Sequence, residues 1–192
     1  MRVAVDGVAG CGKTIFGDEL AATLQAVGRT VIRISADDFH NPRSVRYRRG
    51  RNSPMGFWMD SYDYPRLRSY VLDPLSPGGI RRYRRAAHDL GSDTALDLPF
   101  DHAAPNAVLI LDGLFLHRDE LLDYWDYSIF LDVPFEVCAA RMAARDGGSP
   151  ASVARYVEGQ RLYFAACTPS SRAHLVVDNS VLDRPHVVFG TR

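Results

Sequence analysis

Short apolar runs alternate with segments of helical periodicity along most of this chain. Apolar runs that predict strands lie at residues 2–6, 30–35, 107–113, 127–133 and 174–179. Helical patterns lie at residues 14–27, 64–72, 118–124, 134–146 and 151–166. Strands that alternate with helices predict one α/β domain over residues 1–192, with a central parallel sheet between two helical layers.

Two stretches depart from this alternation. Residues 41–62 show no clear period, and their prolines and glycines favour an irregular excursion. Residues 80–88 and 94–98 alternate as strands do, which predicts a small β-hairpin beside the main sheet. We expect residues 41–100 to form an insertion on the substrate side of the domain.

The composition narrows the partners that we expect. The formal net charge is zero, so no overall attraction to nucleic acid or to a membrane surface is predicted. Three cysteines without metal-ligand spacing suggest a reducing compartment. No apolar run approaches the roughly 18 residues that cross a bilayer, and no signal-peptide core is apparent. A cytoplasmic location is the expectation, and the sequence leaves self-association open.

The first predicted strand and helix enclose a phosphate-binding motif. Residues 7–14 read Gly-Val-Ala-Gly-Cys-Gly-Lys-Thr and fit the pattern G-x-x-x-x-G-K-[ST]. Glycines let backbone N–H groups curl around phosphate oxygens, and the N-terminus of the following helix adds positive charge. The residues predicted to bind nucleotide are Gly7, Gly10, Cys11, Gly12, Lys13 and Thr14.

Within this motif, Lys13 is predicted to contact the β- and γ-phosphates, and the Thr14 hydroxyl is predicted to bind Mg²⁺. Lys13 is the only lysine of the chain, and every other cationic side chain is arginine or histidine. A compact ammonium is therefore retained where a phosphate cradle surrounds it. The Cys11 side chain is expected to face outward, without a catalytic role.

Carboxylates follow two of the predicted strands. Asp37 and Asp38 come after the strand 30–35, and Asp112 ends the strand 107–113. Ligands of open α/β sheets bind outside the carboxyl ends of the strands. One acid of the first pair could accept a proton from an attacking hydroxyl or hold Mg²⁺, although Asp is also favoured in loops and caps. Asp112 is predicted to support the metal near Thr14.

Other polar residues leave two interpretations open. Asp63 is placed to cap the helix at 64–72, but it could equally bind substrate. The arginine-rich residues 46–51 suit either a solvated loop or an anion site. Arg141 and Arg145 lie on one helical face, before a Gly-rich turn and a second helix. This pair of helices, at about 141–155, resembles a lid that closes over phosphates.

Together these residues resemble the P-loop nucleoside and metabolite kinases of the uridine kinase and phosphoribulokinase superfamily. The segment Ser-Ala-Asp-Asp-Phe at 35–39 is similar to the S-x-D-x-F segment of that family, which assigns the general base to Asp37. Residues 62–65 look like its aromatic-Asp-His-Pro segment, which implies ribose binding by Asp63. Tyr83 and His88 match the residues that contact the base in uridine–cytidine kinases.

The resemblance implies that ATP and Mg²⁺ act on a small-molecule acceptor, most simply the 5′-hydroxyl of uridine or cytidine. Asp37, Lys13, Arg141 and Arg145 would be catalytic, with Arg141 also contacting substrate. Thr14, Asp37 and Asp112 would hold the metal. The sequence departs from the family in having Asp112 where Glu is usual, and in the arginines that flank Tyr83.

These arginines keep other acceptors open, namely a sugar phosphate, nicotinamide riboside or pantothenate. A nucleotide-binding module without any acceptor is the alternative outside enzymes.

Overall fold

The computed structural model describes residues 1–146 and 150–190, and it describes side chains for residues 1–144 and 154–190. In chain order its strands are β1 (Arg2–Gly7), β2 (Val31–Ser35), β3 (Arg82–Tyr83), β4 (His88–Asp89), β5 (Thr94–Ala95), β6 (Asp101–His102), β7 (Val108–Gly113), β8 (Tyr127–Asp132), β9 (Leu175–Asp178) and β10 (His186–Gly190). Its helices are α1 (Lys13–Ala26), α2 (Arg43–Arg46), α3 (Pro54–Asp60), α4 (Tyr64–Leu67), α5 (Phe135–Asp146), α6 (Pro150–Cys167) and α7 (Pro169–Arg172). One wide helical turn, Arg68–Leu72, continues α4.

The main sheet has the strand order β10-β9-β8-β1-β7-β2. All neighbouring pairs are parallel except β9 and β10, which are antiparallel. Strands β7 and β2 lie on one side of β1, and β8, β9 and β10 lie on the other. The connections from β1 and from β7 therefore leave in opposite directions, and the carboxyl end of β1 faces the crevice where ligands of such sheets bind. The pairing sets Val5 opposite Asp112 and Asp6 opposite Gly113, so β1 and β7 end side by side.

Helices cover both faces of this sheet. Alternate residues of β1 and β7 enter two separate cores, because successive side chains of a strand point to opposite faces. Ala4 and Leu109 pack on the side of α3 and α6. Val3 and Ile110 pack on the side of α1. The three-layer α/β fold predicted from the sequence is confirmed.

Three local predictions were wrong. The stretch 41–62 is not irregular, because it contains α2 and α3. Ser53 caps α3 by accepting a 3.0 Å hydrogen bond from the Gly56 amide, and Pro54 fills its first turn. Residues 118–124 do not form one helix, since only Leu122–Tyr124 make a 3₁₀ turn. The strand at 174–179 is not the last, because β10 follows it as the antiparallel edge.

The predicted hairpin exists in a different form. His88 and Asp89 pair with Ala95 and Thr94, whereas Tyr83 pairs farther out with Asp101. The insertion therefore contains two short antiparallel sheets, and the pair β4–β5 lies between β3 and β6 along the chain. The backbone of Ala87 donates to the Asp38 carbonyl at 2.9 Å, which fixes this insertion beside the end of β2.

Candidate active site

Residues 7–14, hereafter the phosphate loop, connect β1 to α1. Gly10 and Gly12 have φ values of 86° and 97°, a left-handed conformation that only glycine adopts readily. A Cβ atom on Gly12 would lie 2.8 Å from Asn179 Nδ2. That amide nitrogen donates to the Cys11 carbonyl at 2.7 Å. The end of β9 therefore holds the loop in an open, amide-rich curve that suits phosphate.

The Cys11 side chain does not face outward as expected. Its thiol is fully buried beneath the loop, among the apolar residues on the α1 side of the sheet. Burial raises the pKa of the Cys11 thiol, so the sulfur stays protonated. Cys11 can contribute to phosphate binding only through its backbone.

Lys13 and Thr14, the last two residues of the loop, are also the first two of α1. Lys13 Nζ lies 2.9 Å from the Val8 carbonyl, so the ammonium bends back over the loop. The Thr14 hydroxyl donates to Asp112 Oδ2 at 2.9 Å. Arg33 Nη1 donates to Asp112 Oδ1 at 3.1 Å. Asp112 thus joins Thr14 from β7, as the sequence predicts, but an arginine that the sequence did not indicate takes its second oxygen.

Asp37 lies in a 3₁₀ turn, Ala36–Phe39, that follows β2. The buried Tyr62 donates its hydroxyl to Asp37 Oδ1 at 2.9 Å. The His40 ring packs 4.5 Å from the Tyr62 ring, and its Nδ1 donates to the Asp37 carbonyl at 2.7 Å. Side chain and backbone of Asp37 are therefore held from two directions, while no hydrogen bond from the described residues reaches Oδ2.

Asp37, Lys13, Thr14 and Asp112 line one cavity of about 380 Å³. Its other lining residues are Ala9, Gly10, Gly12, Ile15, Gly113, Leu114, Arg141, Met142 and Leu182. The glycines and Lys13 form its phosphate side, whereas Ile15, Met142 and Leu182 add an apolar side. The cavity therefore offers both surfaces that a nucleotide needs.

The donor set of this cavity fits Mg²⁺ held jointly by protein and nucleotide. Burial and the charges of Asp37 and Asp112 raise the pKa of Asp38, so carboxylates crowd this edge of the sheet. Among the described residues, no three His, Cys, Asp or Glu side chains are placed to hold a metal by themselves. Mg²⁺ commonly binds through one or two protein ligands plus substrate phosphates. The Thr14 hydroxyl and Asp112 are the protein groups that would take part.

Arg141 reaches the cavity from α5, but its guanidinium is already bonded. Nη2 donates to the carbonyls of Ser180 at 2.8 Å and Asn179 at 3.2 Å. Nη1 lies 3.5 Å from the Gly10 carbonyl. Arg141 therefore ties the phosphate loop to the end of β9. The side chain of Arg145 and residues 147–149, where a Gly-rich turn is predicted, lie outside the described residues, so the roles predicted for Arg145 and for the lid stay predictions.

The three predicted acceptor residues are not among those lining this cavity. Asp63 caps α4, accepting from the Arg66 amide at 3.0 Å. Tyr83 is buried, and its hydroxyl accepts from Arg85 at 3.0 Å. His88 Nε2 lies 3.4 Å from Asp93 Oδ1. The cap is confirmed, and the acceptor roles of these three residues stay predictions.

Five arginines of the insertion that could have bound an anion are already bonded within the protein. Arg48 and Arg49 both bind the buried Asp60, and Arg46 bonds the Asn41 carbonyl at 2.7 Å. Arg84 and Arg85, which flank Tyr83, pair with Asp97 at 2.7 Å and Asp101 at 2.6 Å. These five arginines therefore already have partners within the protein.

A buried network beneath the phosphate loop was missed by sequence reasoning. Asp6 Oδ2 accepts from the His117 amide at 3.2 Å, from His117 Nδ1 at 2.8 Å and from the Tyr163 hydroxyl. Its Oδ1 accepts from the Gly7 amide at 2.7 Å. The only sequence signal was an acid within the apolar run of β1, next to the motif.

A glycine-rich loop between β1 and α1, its lysine and threonine, and an acid on the adjacent strand define a P-loop nucleotide-binding protein. The profile of the cytidylate kinase-like family matches residues 2–160, and the chain belongs to that family.

Individual relatives agree with this assignment. The uridine kinase of Proteus mirabilis is 27% identical over 154 residues, which span 75% of this chain and 67% of that protein. A possible uridine kinase from Bacillus stearothermophilus superposes with a TM-score of 0.74 and 22% identity, covering 92% of this chain and 87% of that one. A candidate fructose transport system kinase from Silicibacter sp. TM1040 has a TM-score of 0.70 and 26% identity, covering 87% and 85%. The resemblance to the uridine kinase superfamily is confirmed, and ATP use follows from membership of a P-loop kinase family.

The neighbours do not agree on one acceptor, since their names include nucleoside and sugar kinases. Among the described residues, no helix combines the length and apolar character that crossing a membrane requires.

Proposed function

We propose that the protein transfers the γ-phosphoryl group of Mg·ATP to the 5′-hydroxyl of a nucleoside, uridine or cytidine. The observation that carries this proposal is the convergence of Lys13, Thr14, Asp37 and Asp112 on one cavity. A phosphate cradle, a metal-side hydroxyl and a candidate base are what hydroxyl phosphorylation requires. The uridine kinase of Proteus mirabilis, at 27% identity, supports the choice of acceptor.

The phosphate side of the cavity would bind and orient the nucleotide. The loop amides and the N-terminus of α1 donate to phosphate oxygens, and Lys13 would exchange its contact with Val8 for the β- and γ-phosphates. The Thr14 hydroxyl would hold the cation, and Asp112 would support it by accepting the hydrogen of that hydroxyl. Bound Mg·ATP supplies the phosphoryl group and a positive charge that offsets its oxygens.

Asp37 would act on the acceptor. Because Tyr62 occupies Oδ1, Oδ2 is the oxygen that would accept the proton as the acceptor oxygen attacks the phosphorus atom. General-base catalysis of this kind is worth about 10²–10⁴-fold in rate. The hydrogen bond from Tyr62 fixes the carboxylate before substrate arrives, which lowers the cost of reaching the reactive geometry.

The charge around Tyr83 favours a neutral acceptor. The sequence alone left open an anionic acceptor bound by Arg84 and Arg85, but each pairs with an aspartate. Their charge is thus offset before any substrate binds. A neutral sugar is the second candidate, because the fructose-related kinase of Silicibacter is 26% identical to this chain.

The deciding experiment measures ADP release from Mg·ATP with a panel of acceptors: uridine, cytidine, nicotinamide riboside, pantothenate, fructose and ribulose 5-phosphate. We expect stimulation by uridine or cytidine. Stimulation by fructose alone would favour the sugar kinase, and stimulation by ribulose 5-phosphate alone would contradict the argument from paired arginines. ATP hydrolysis that no acceptor stimulates would contradict the kinase proposal.

A further inference from the structure

Arg33 is a β2 residue whose guanidinium lies against the acid of the proposed metal site. Nη1 donates to Asp112 Oδ1 at 3.1 Å and to the Ile110 carbonyl at 3.2 Å. On its other side, Nε and Nη2 each lie 2.9 Å from Asp18 Oδ1. One planar group thus links α1 to β7, a task for which the fork of arginine is suited and the point charge of lysine is not.

Helix α1 has space for this guanidinium at Gly17. A Cβ atom on Gly17 would lie 2.9 Å from both Arg33 Cζ and Nη2. Since contacts below 3.0 Å force atoms apart, any larger residue at this position would displace the guanidinium. The glycine therefore keeps Arg33 close to the helix and within reach of Asp112.

Both carboxylate oxygens of Asp112 already have donors. Oδ1 accepts from Arg33, and Oδ2 accepts from the Thr14 hydroxyl at 2.9 Å. The Asp112 side chain is only 3% exposed. A fixed positive charge a few ångströms from a cation site opposes binding of a free cation, most strongly where water is scarce. Because the Thr14 hydroxyl directs its hydrogen towards Asp112, the lone pairs of its oxygen remain for a metal.

We propose that Arg33 is a positioning residue that prevents the site from binding a free divalent cation, so that the metal enters with the nucleotide. The inference rests on the proposed function, because the metal site belongs to that function. Arg33 offsets the charge of Asp112 by binding Oδ1, and Oδ2 of Asp112 orients the Thr14 hydroxyl. The nucleotide phosphates then provide the negative charge that a divalent cation needs.

The test measures binding of Mn²⁺, a paramagnetic substitute for Mg²⁺, to the full chain without nucleotide, by the loss of the free-ion resonance signal. Arg33→Met removes the charge but keeps a long side chain, and we expect it to tighten Mn²⁺ binding by about tenfold or more. Gly17→Ala keeps the charge but displaces it, so a smaller gain is expected. Arg29→Met removes the same charge from an exposed site and should leave Mn²⁺ binding unchanged.

Two results would overturn the proposal. One is wild-type protein that binds free Mn²⁺ as tightly as Arg33→Met does. The other is an equal gain in Arg29→Met, which would mean that net charge alone is responsible. If a thermal melt shows that Arg33→Met is unfolded, the Mn²⁺ affinity of Gly17→Ala is compared with that of the wild type instead, and equal affinities overturn the proposal. Binding of Mn·ATP is measured in parallel: its absence from the wild type contradicts the proposed function, whereas the free-ion comparison still decides the role of Arg33.

Discussion

At the scale of single residues, two adjacent carboxylates have different surroundings. Asp37 receives the Tyr62 hydroxyl and lines the cavity with Lys13. Asp38 carries the backbone carbonyl that holds the insertion, and its pKa is raised by burial and by neighbouring acids. The two acids are consecutive in sequence, yet only the first lines the cavity, and it is the one we propose as the base.

Replacing Asp37 by Asn should lower kcat by about 10²–10⁴-fold, because the amide cannot accept the acceptor proton. ATP binding, followed by calorimetry, should stay within a few-fold of wild type. Asp38→Asn is the matched control and should retain most activity. Near wild-type turnover in Asp37→Asn would show that this residue is not the base.

A substitution at Gly12 tests the shape of the phosphate loop. Gly12→Ala should cost about 1–2 kcal/mol in unfolding free energy, since its φ is left-handed, and should also weaken ATP binding, because the new Cβ would press on Asn179. Gly28→Ala is the control: it too has a positive φ, of 79°, but nothing lies within 4 Å of its Cβ. Urea unfolding and ATP calorimetry separate the two effects, and equal ATP affinity in both variants would contradict the crowding argument.

The open, glycine-rich shape of the loop at 7–14 could be predicted, because it depends on neighbours in sequence, whereas the burial of the Cys11 side chain could not. The partners of Asp112 and Asp6 could not. Arg33 precedes Asp112 by 79 residues, and Leu116, which donates to Asp6, lies 110 residues away. Only strand pairing brings such residues together, and single-sequence patterns do not specify which side chains meet.

At the scale of elements, α6 contacts both the phosphate loop and the strand before it. Gln160 accepts from the Ala9 amide at 2.5 Å, and Tyr163 donates to the carboxylate of Asp6. The same helix packs along α3, with which it shares the aromatic pair Phe57 and Tyr156, whose ring centroids lie 4.7 Å apart. The position of α6 is therefore coupled to the conformation of the loop.

The contact between α3 and α6 depends on Gly159. A Cβ atom there would lie 2.6 Å from the Phe57 ring and 2.9 Å from the Pro54 carbonyl. Gly159→Ala should therefore destabilise the fold by about 1–3 kcal/mol, although alanine favours a helix by about 1 kcal/mol. Ala165→Gly, an exposed change in the same helix, calibrates helix propensity alone. Urea unfolding that shows Gly159→Ala to be more stable than wild type would contradict this packing.

Elements with strong periodicity were predicted well, and short ones were not. The bounds of α1 and β8 differ from the predictions by one residue at an end or less. Helix α2 has only four residues, too few to establish a period. Strand β10 was overlooked because all five of its residues are exposed, so no alternation of buried and exposed positions distinguishes it from a loop.

At the scale of the whole molecule, stability should depend on acid through Asp60. Burial acts to raise the pKa of Asp60, but its bonds to Arg48 and Arg49 outweigh burial and lower the pKa below the usual 3.8. A lowered pKa contributes stability that is present above 3.8 and is lost as pH falls through the folded value. Thermal melts of wild type should therefore decline below about pH 4.

Asp60→Asn should remove part of that decline, with its deficit relative to wild type largest near neutral pH. Asp123→Asn changes an exposed acid and serves as the control, with melts that follow wild type. Because both arginines are about half exposed, solvent weakens the effect. A parallel decline in wild type and Asp60→Asn would show that other groups govern acid sensitivity.

The solitary lysine makes the nucleotide cavity selectively reactive towards reagents that modify amines. Apart from the amino group at Met1, Lys13 holds the only primary amine of the chain, and its nitrogen lies at the wall of the nucleotide cavity. An acylating reagent should therefore modify the protein at one side chain, and bound Mg·ATP should shield it. The mass increment on the peptide that contains Lys13, read with and without nucleotide, would report occupancy of the phosphate loop, and the increment on the Met1 peptide would serve as the internal reference.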